Sequence, residues 1–183
     1  MIKKNLILTV LHKYHYPVIE PFIKSLKATN YEGDLVIFVS DVTTKTTKEI
    51  LKKHGATLIE FKSGYPFIDS YRDVFHDIAP QITINNYRFL FYLKYLKENA
   101  GRYENIMLTD IRDVIFQSNI FERIENNKIY FFLEDASEIF RTSKMNYDWC
   151  LNANGQDVTN KIIDENVSCA GITIGSYKHI MDY

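Results

Sequence analysis

The sequence is poor in the residues that mark several classes of protein. It has two cysteines, Cys150 and Cys169, in 183 residues, which excludes a disulfide-dense scaffold and favours a reducing compartment. Its net charge is −1, so it lacks the basic excess expected of a nucleic-acid-binding protein. No segment approaches the ~20 consecutive apolar residues that span a bilayer. We therefore expect a cytoplasmic protein with no transmembrane segment and no nucleic-acid partner.

The apolar residues are sufficient for one hydrophobic core. They make up 46% of the chain, and 14% of the residues are aromatic, which is ample for one domain and marginal for two. The apolar run 6–11 near the N-terminus is too short for a signal peptide and has no small-residue cleavage site, so it is better interpreted as a strand. The sequence predicts a single domain over residues 1–183.

Strand and helix patterns alternate through the first two-thirds of the chain. Near-continuous apolar runs predict buried strands, and apolar residues at helical spacing predict the helices between them. The predicted strands are 5–11, 34–41, 56–61 and 105–110, and the predicted helices are 17–30, 43–55 and 85–101. In the last helix we expect a core stripe of Phe89, Leu90, Leu93 and Leu96. This order predicts a mostly parallel sheet with right-handed crossovers.

The pattern is less regular elsewhere. Residues 62–85 contain turn signals, with a short helix expected at 70–78, and 146–155 is a polar, aromatic stretch. Further strands are predicted at 128–135 and 168–176. Because the chain stops where a helix begins at Tyr177, we expect a domain truncated at its C-terminal end.

The stretch "LTDIRDVIFQ" places charged side chains where a buried strand leaves the core. Ligands of open α/β sheets bind beyond the carboxyl ends of the strands, and carboxylates presented there suit Mg²⁺ or Mn²⁺, which take one or two carboxylates plus substrate phosphates. Asp110 and Asp113 are the candidate ligands. The alternative is a local ion-pair cluster of Asp110, Arg112 and Asp113 that caps the following turn, in which Arg112 pairs with either aspartate.

Four motifs resemble those of a GT-A-fold glycosyltransferase-like family, which uses nucleotide-sugar donors. The motif D-x-R-D-V-x-F-Q is a variant of the D-x-D motif of that fold. In chain order, the matching residues are Pro21, Phe22, Ser25 and Leu26; Asp110, Arg112, Asp113, Val114, Phe116 and Gln117; Asn146 and Trp149; and Ser168 to Gly175. The likeness extends over nearly the whole chain. A strict D-x-D motif has its second acid at position 112, so here the two aspartates can share a cation only if the chain turns between them.

The resemblance implies a three-layer α/β/α GT-A fold and a metal-dependent glycosyltransferase. Its partners would be a nucleoside diphosphate sugar donor and a sugar or glycolipid acceptor, with Mn²⁺ or Mg²⁺ held by Asp110 and Asp113. Residues 1–113 would form the nucleotide-binding half and 114–183 an incomplete acceptor-side half. The setting it suggests is surface polysaccharide synthesis, including a peripheral position at the inner membrane face.

Four side chains are candidates for donor binding. Tyr14 follows the first strand and can stack on a base, and Asp41 ends the second strand and can contact a ribose or cap the next helix. Arg88 begins a long helix, where it can reach phosphates or pair with an aspartate. Arg112 can bind phosphate in bidentate fashion.

The candidates on the acceptor side lie later in the chain. Glu134 and Asp135 close a strand, and either can serve as general base or remain a solvated strand-end acid. Trp149 can floor a sugar site or fill the core, and Asn146 accompanies it as an acceptor ligand. Cys169 is expected to be a small core residue.

Three other functions are alternatives to glycosyl transfer. A nucleotide-sugar-binding or degenerate domain is the main alternative, because Arg112 occupies the second position of the D-x-D motif. A nucleotidyltransferase should have a Gly-rich phosphate loop after its first strand, whereas "TVLHKYHYP" has no glycine. A receiver domain should have an acidic pair there, which is also missing.

Overall fold

The structure is a computed structural model that describes residues 4–63 and 84–183. The strands of this part are Lys4–Leu11 (β1), Asp34–Ser40 (β2), Thr57–Phe61 (β3), Tyr103–Thr109 (β4), Ile129–Leu133 (β5) and Ser168–Ser176 (β6). Its helices are Tyr16–Ala28 (α1), Lys45–Lys53 (α2), Ile84–Glu98 (α3), Lys144–Lys161 (α4) and Tyr177–Asp182 (α5), with a short 3₁₀ turn at Ile120–Glu122.

The six strands form one mixed sheet in the order β3-β2-β1-β4-β6-β5. The pairs β3–β2, β2–β1 and β1–β4 are parallel, and β6 runs antiparallel to both β4 and β5. At the centre, Leu8 lies opposite Val36 on one side and Leu108 on the other. The predicted α/β class with a mostly parallel sheet is confirmed.

Helices cover both faces of the sheet, because successive side chains of a strand point to opposite faces. Ile7 and Leu11 of β1 belong to a buried cluster with Ile19 and Phe22 of α1. Leu6 and Leu8 belong to a second cluster that includes residues of α3 and α5: Phe91, Tyr92, Leu96 and Ile180. The domain therefore has three layers, and β1 and β4 are buried between them.

Two details of the helices differ from the sequence-based expectation. The buried residues of α3 are Phe91, Tyr92 and Leu96, so the predicted stripe was wrong at Leu90 and Leu93. The buried face of α3 lies on its aromatic side, because Phe91 packs between Phe38 and Phe61 with ring centroids 5.2 and 4.7 Å away.

The second difference is α4, which includes residues 146–155, for which the sequence predicts only a polar, aromatic stretch. Gly155 interrupts it with φ +78°, and α4 buries only Cys150 and Thr159, so it has no apolar stripe that a period could reveal. The short helix expected at 70–78 lies outside the described residues. No helix in 4–63 or 84–183 has the length and apolarity needed to cross a membrane.

Candidate donor-binding site

A cavity of about 370 Å³ lies at the carboxyl ends of β1 and β4. Because these neighbouring strands are parallel, the segments that follow them meet at one edge of the sheet. The cavity is lined by Val10, His12, Lys13 and Tyr14 after β1, by Ile84, Asn85 and Arg88 of α3, and by Asp110, Ile111, Arg112 and Asp113 after β4. Five of the predicted site residues are thus brought together: Tyr14, Arg88, Asp110, Arg112 and Asp113.

Asp110 is held by β6 through its backbone and by Arg88 through its side chain. Its backbone N–H donates to the carbonyl oxygen of Gly171 at 2.8 Å, which fixes it to β6. Arg88 donates through Nη1 to Asp110 Oδ1 and through Nη2 to the carbonyl oxygen of Ala170 at 2.8 Å. The Asp110 side chain remains 41% exposed, while that of Arg88 is only 12% exposed. The carboxylate is therefore paired and still open to the cavity.

Asp113 reaches the same cavity because the chain bends over residues 111–113. Arg112 donates to its two carboxylate oxygens at 2.6 and 2.8 Å, and this hydrogen bonding lowers the pKa of Asp113. The Arg112 guanidinium lies 5.5 Å from the ring centroid of Tyr14 and donates to its hydroxyl at 3.3 Å. Each aspartate thus has its own arginine, one from α3 and one from its neighbour in sequence.

The segment after the aspartates is anchored to α1. The backbone N–H of Phe116 donates to Ser25 Oγ at 3.0 Å, and the ring of Phe116 packs edge-on against Phe22 with centroids 5.1 Å apart. The motif residues around Pro21 and those after Asp110 are therefore direct neighbours. Their role is to fix the course of the chain that presents Asp110 and Asp113.

β6 forms the wall beside Asp110. A Cβ on Gly171 would lie 3.1 Å from Asp110 Oδ2 and 3.4 Å from Cys169 Sγ, so a glycine is required for the carboxylate to sit so close. Burial raises the pKa of the Cys169 thiol, and hydrogen bonding to Glu134 raises it further. Cys169 is half-buried, which corrects the expectation of a core residue.

His12 also lines the cavity. Burial lowers the pKa of His12, and the positive charge of Lys13 adds to the effect. Its Nδ1 is buried and has no hydrogen-bond partner within the described part of the chain. From the sequence, His12 and His15 could bind a metal, but a surface cluster is the preferred interpretation because a histidine in a polar loop is usually a surface residue.

Five predicted site residues lie outside the lining of this cavity: Asp41, Glu134, Asp135, Asn146 and Trp149. Asp41 accepts hydrogen bonds from the Ser63 backbone N–H, at 2.9 Å, and from its hydroxyl, which lowers the pKa of Asp41. It does not cap α2, because Thr44 does so by accepting from the Thr47 N–H. Asn146 donates to Ser143 Oγ at 2.9 Å.

Trp149 lies at the surface, and the Asp135 carboxylate has hydrogen-bond partners of its own. Trp149 is 55% exposed, so the reading as a core residue is wrong, and it does not line the cavity. Asp135 accepts from the Ser137 N–H at 2.9 Å and from its hydroxyl at 2.6 Å, and these bonds lower the pKa of Asp135. It stabilises a local turn.

The cavity has few carboxylates for a metal ion. Within residues 4–63 and 84–183, no group of three or more His, Cys, Asp or Glu side chains is arranged to hold one. A cation of the Mg²⁺ type needs only one or two protein carboxylates when water and phosphate complete its shell. The partly exposed oxygens of Asp110 and Asp113 fit that requirement. The described residues do not form a site in which protein ligands alone surround the ion.

Comparison by sequence finds no matching family model and no matching curated protein. Comparison by structure finds 4-diphosphocytidyl-2C-methyl-D-erythritol synthase from Anaerococcus prevotii, with a TM-score of 0.55 and 9% identity. It also finds the galactosyltransferase LgtC in complex with donor and acceptor sugar analogues, with a TM-score of 0.51 and 14% identity. A third similar structure, with a TM-score of 0.50 and 13% identity, is glucosyl-3-phosphoglycerate synthase from Mycobacterium tuberculosis with Mn²⁺, UDP and glucosyl-3-phosphoglycerate.

These similarities define the fold. The alignments cover 96–98% of this chain, but only 57% of the mycobacterial synthase, 60% of LgtC and 74% of the erythritol synthase. The chain therefore has the nucleotide-diphospho-sugar transferase fold that GT-A glycosyltransferases and nucleotidyltransferases share, and it spans little more than half the length of two of these structures. At such low identity the likeness extends to the fold and no further.

Proposed function

We propose that this domain binds a nucleoside diphosphate sugar through a divalent cation at Asp110 and transfers the sugar to an acceptor hydroxyl. The observation that carries the proposal is the cavity at the carboxyl ends of β1 and β4, where an accessible Asp110 carboxylate lies among basic and aromatic side chains. A carboxylate without a cation would repel a diphosphate, whereas a cation between them turns the repulsion into attraction.

Asp110 would hold Mn²⁺ or Mg²⁺, with Asp113 as the second carboxylate. When bound, the cation would neutralise the negative charge that develops on the departing diphosphate. Arg88 and Arg112 would contact phosphate oxygens, because a guanidinium can exchange one bidentate anion for another. Tyr14 would stack on the base, and Asp41, one strand away from the cavity, would contact the ribose.

Glu134 is the better candidate for the general base. Transfer breaks the bond from the anomeric carbon to the diphosphate, forms one to the acceptor oxygen and releases the acceptor proton. Glu134 is held next to β6 by its backbone N–H, which donates to the Val167 carbonyl at 2.9 Å, whereas the Asp135 carboxylate accepts two hydrogen bonds from Ser137. Trp149 would contact an acceptor sugar with its exposed ring, and Asn146 would help to orient it.

The alternative is a domain that binds the donor without transfer. It is favoured by the two arginine–aspartate pairs, since each carboxylate already has a cationic partner in the absence of a metal. The two proposals predict the same binding and differ only in turnover. Release of the nucleoside diphosphate from a bound nucleotide sugar distinguishes them.

The first experiment is thermal unfolding with UDP, GDP, CDP or ADP, each with and without Mn²⁺. A nucleotide at ~100 times its dissociation constant adds about 2.7 kcal/mol to the free energy of unfolding, which raises the Tm of a domain of this size by roughly 5–10 °C. We expect a rise for one nucleotide, only with Mn²⁺, and its loss in Asp110→Asn.

A matched control is Asp164→Asn. Asp164 accepts two hydrogen bonds from Arg141, at 2.8 and 2.9 Å, as Asp113 does from Arg112, but it does not line the cavity. This variant should keep the full nucleotide shift. If no nucleotide raises the Tm of the folded wild-type chain, or if Asp110→Asn responds like Asp164→Asn, the donor site is not at Asp110.

A further inference from the structure

The outer strand β5 has exposed apolar side chains, and the ring of Phe131 contacts the edge of the Tyr183 ring, with centroids 5.4 Å apart. One backbone edge of β5 has no partner strand in the described part of the chain. It is the last strand of the sheet and pairs only with β6 there. Phe131 is 50% exposed and Leu133 64% exposed. The strand has no proline and no charged residue among its five residues, IYFFL, so it lacks two of the features that protect many edges. Its pairing with β6 shifts in register between Phe131 and Phe132.

The hydrogen bonds of β5 to β6 define which backbone groups point outward. The Ser176 N–H donates to the Lys128 carbonyl at 3.1 Å, and the Glu134 N–H donates to the Val167 carbonyl at 2.9 Å. Residues 128 and 134 therefore direct their backbone groups toward β6. Since these directions alternate along an antiparallel strand, Ile129, Phe131 and Leu133 direct theirs away from the sheet.

The sequence around Phe131 is suited to antiparallel pairing with a second copy of itself. If a second copy pairs antiparallel with Phe131 opposite Phe131, then Ile129 faces Leu133 and Tyr130 faces Phe132. At each end Lys128 faces Glu134, with opposite charge. In this register, the outward N–H groups of Ile129, Phe131 and Leu133 point at C=O groups of the partner strand, and their outward C=O groups point at its N–H groups. Pairs of aromatic, aliphatic and opposite-charge residues are the ones that stabilise antiparallel strands.

We propose that the domain forms a twofold dimer through antiparallel pairing of β5 with β5 of a second copy, which joins the two sheets. Lys128 is available for the partner, because its present contact, at 2.7 Å to Glu125, is an exposed ion pair and such pairs contribute little. A single pair of strands is a small interface, so the dimer is reversible and depends on protein concentration.

Charge reversal tests the register. Sedimentation equilibrium of the wild-type chain up to about 1 mM should show a monomer–dimer equilibrium. Lys128→Glu opposes two acids, and Glu134→Lys opposes two lysines, so each variant should dimerise at least tenfold more weakly. An equimolar mixture of the two variants restores both opposite pairs and should dimerise again, as should the double variant. Phe131→Lys, which places a charge on the twofold axis, should be monomeric.

Each outcome bears on the proposal directly. A wild-type chain that stays monomeric over the whole range overturns it. A dimer that persists in all three single variants places the interface elsewhere, and a mixture no tighter than its components overturns the register. Circular dichroism of each variant verifies that it is folded. Because the readout is mass and not turnover, the result is independent of the function proposed for the cavity.

Discussion

Gly171 shows how a single missing side chain shapes the candidate site. Its backbone carbonyl accepts the Asp110 N–H, and its α-carbon faces the Asp110 carboxylate closely enough that a methyl group would lie 3.1 Å from Oδ2. Glycine is often found in strands where another group must approach the backbone closely. At this position the approaching group is the predicted metal ligand.

We expect Gly171→Ala to displace the Asp110 carboxylate while leaving the fold intact, because the crowded atom is the end of a side chain. Metal-dependent nucleotide affinity should fall about tenfold, or ~1.4 kcal/mol, as measured by titration calorimetry. Gly175→Ala is the control, since its Cβ would lie 3.0 Å from the Lys128 carbonyl oxygen and the strain falls on backbone.

The control should therefore lower the free energy of unfolding by about 1–3 kcal/mol and keep nucleotide affinity. If Gly171→Ala binds as the wild type does, the position of Asp110 relative to β6 has no influence on the cation.

Among the elements, α1 supports the site without lining it. The hydroxyl of Ser25 accepts from the Phe116 N–H at 3.0 Å and donates to the Phe22 carbonyl at 3.1 Å. The segment after β4 has no regular structure between 110 and 117, so this bond and the packing of Phe116 on Phe22 determine where it runs. Ser25 is thus a positioning residue for the two aspartates.

Ser25→Ala should leave the partly buried Phe116 N–H without its acceptor, which costs about 1–3 kcal/mol. Urea unfolding followed by fluorescence measures the change. Thr29→Ala is a suitable comparison, because its hydroxyl donates at 2.7 Å to the Leu26 carbonyl, which also accepts the Thr29 N–H. Equal losses in the two variants would show that Ser25 contributes nothing beyond a local helix contact.

Across the whole molecule, stability derives from two apolar clusters separated by the sheet. Ile37 of β2 belongs to the cluster on the α1 side and Ile106 of β4 to the cluster on the α3 side, and both are fully buried. One strand, β1, lies between them, with Ile37 opposite Thr9 and Ile106 opposite Leu6, so their backbones are about 14 Å apart. Neither cluster is dispensable, because each covers one face of the same strands.

Ile37→Val and Ile106→Val should each lower the free energy of unfolding by about 0.5–1.5 kcal/mol, and the double variant should lose their sum within ~0.5 kcal/mol. Denaturant titration with a shared m-value checks this. Separate transitions, or a double variant far from additive, would mean that the two faces do not unfold as one cooperative unit.

The order of elements could be predicted from the chain because it depends on local pattern. The runs that became β1, β2 and β4 are apolar on both faces, which is what a strand covered by helices requires. The sequence therefore predicts a binding site at the carboxyl end of β4, with Asp110 and Asp113 beside it. The sequence could not reveal α4, whose buried face is too narrow to produce a period.

Only the tertiary structure decided which charges meet. Arg88 precedes Asp110 by 22 residues and could have paired with phosphate or with either aspartate; the packing of α3 on β2 and β3, through Phe91, brings it to Asp110. Gly171 lies beside Asp110 because β6 runs antiparallel to β4, a pairing that joins residues 63 to 71 positions apart. Local pattern determined the strands and the acidic edge, whereas contacts distant in sequence determined the partners, because side-chain neighbours depend on how the elements pack.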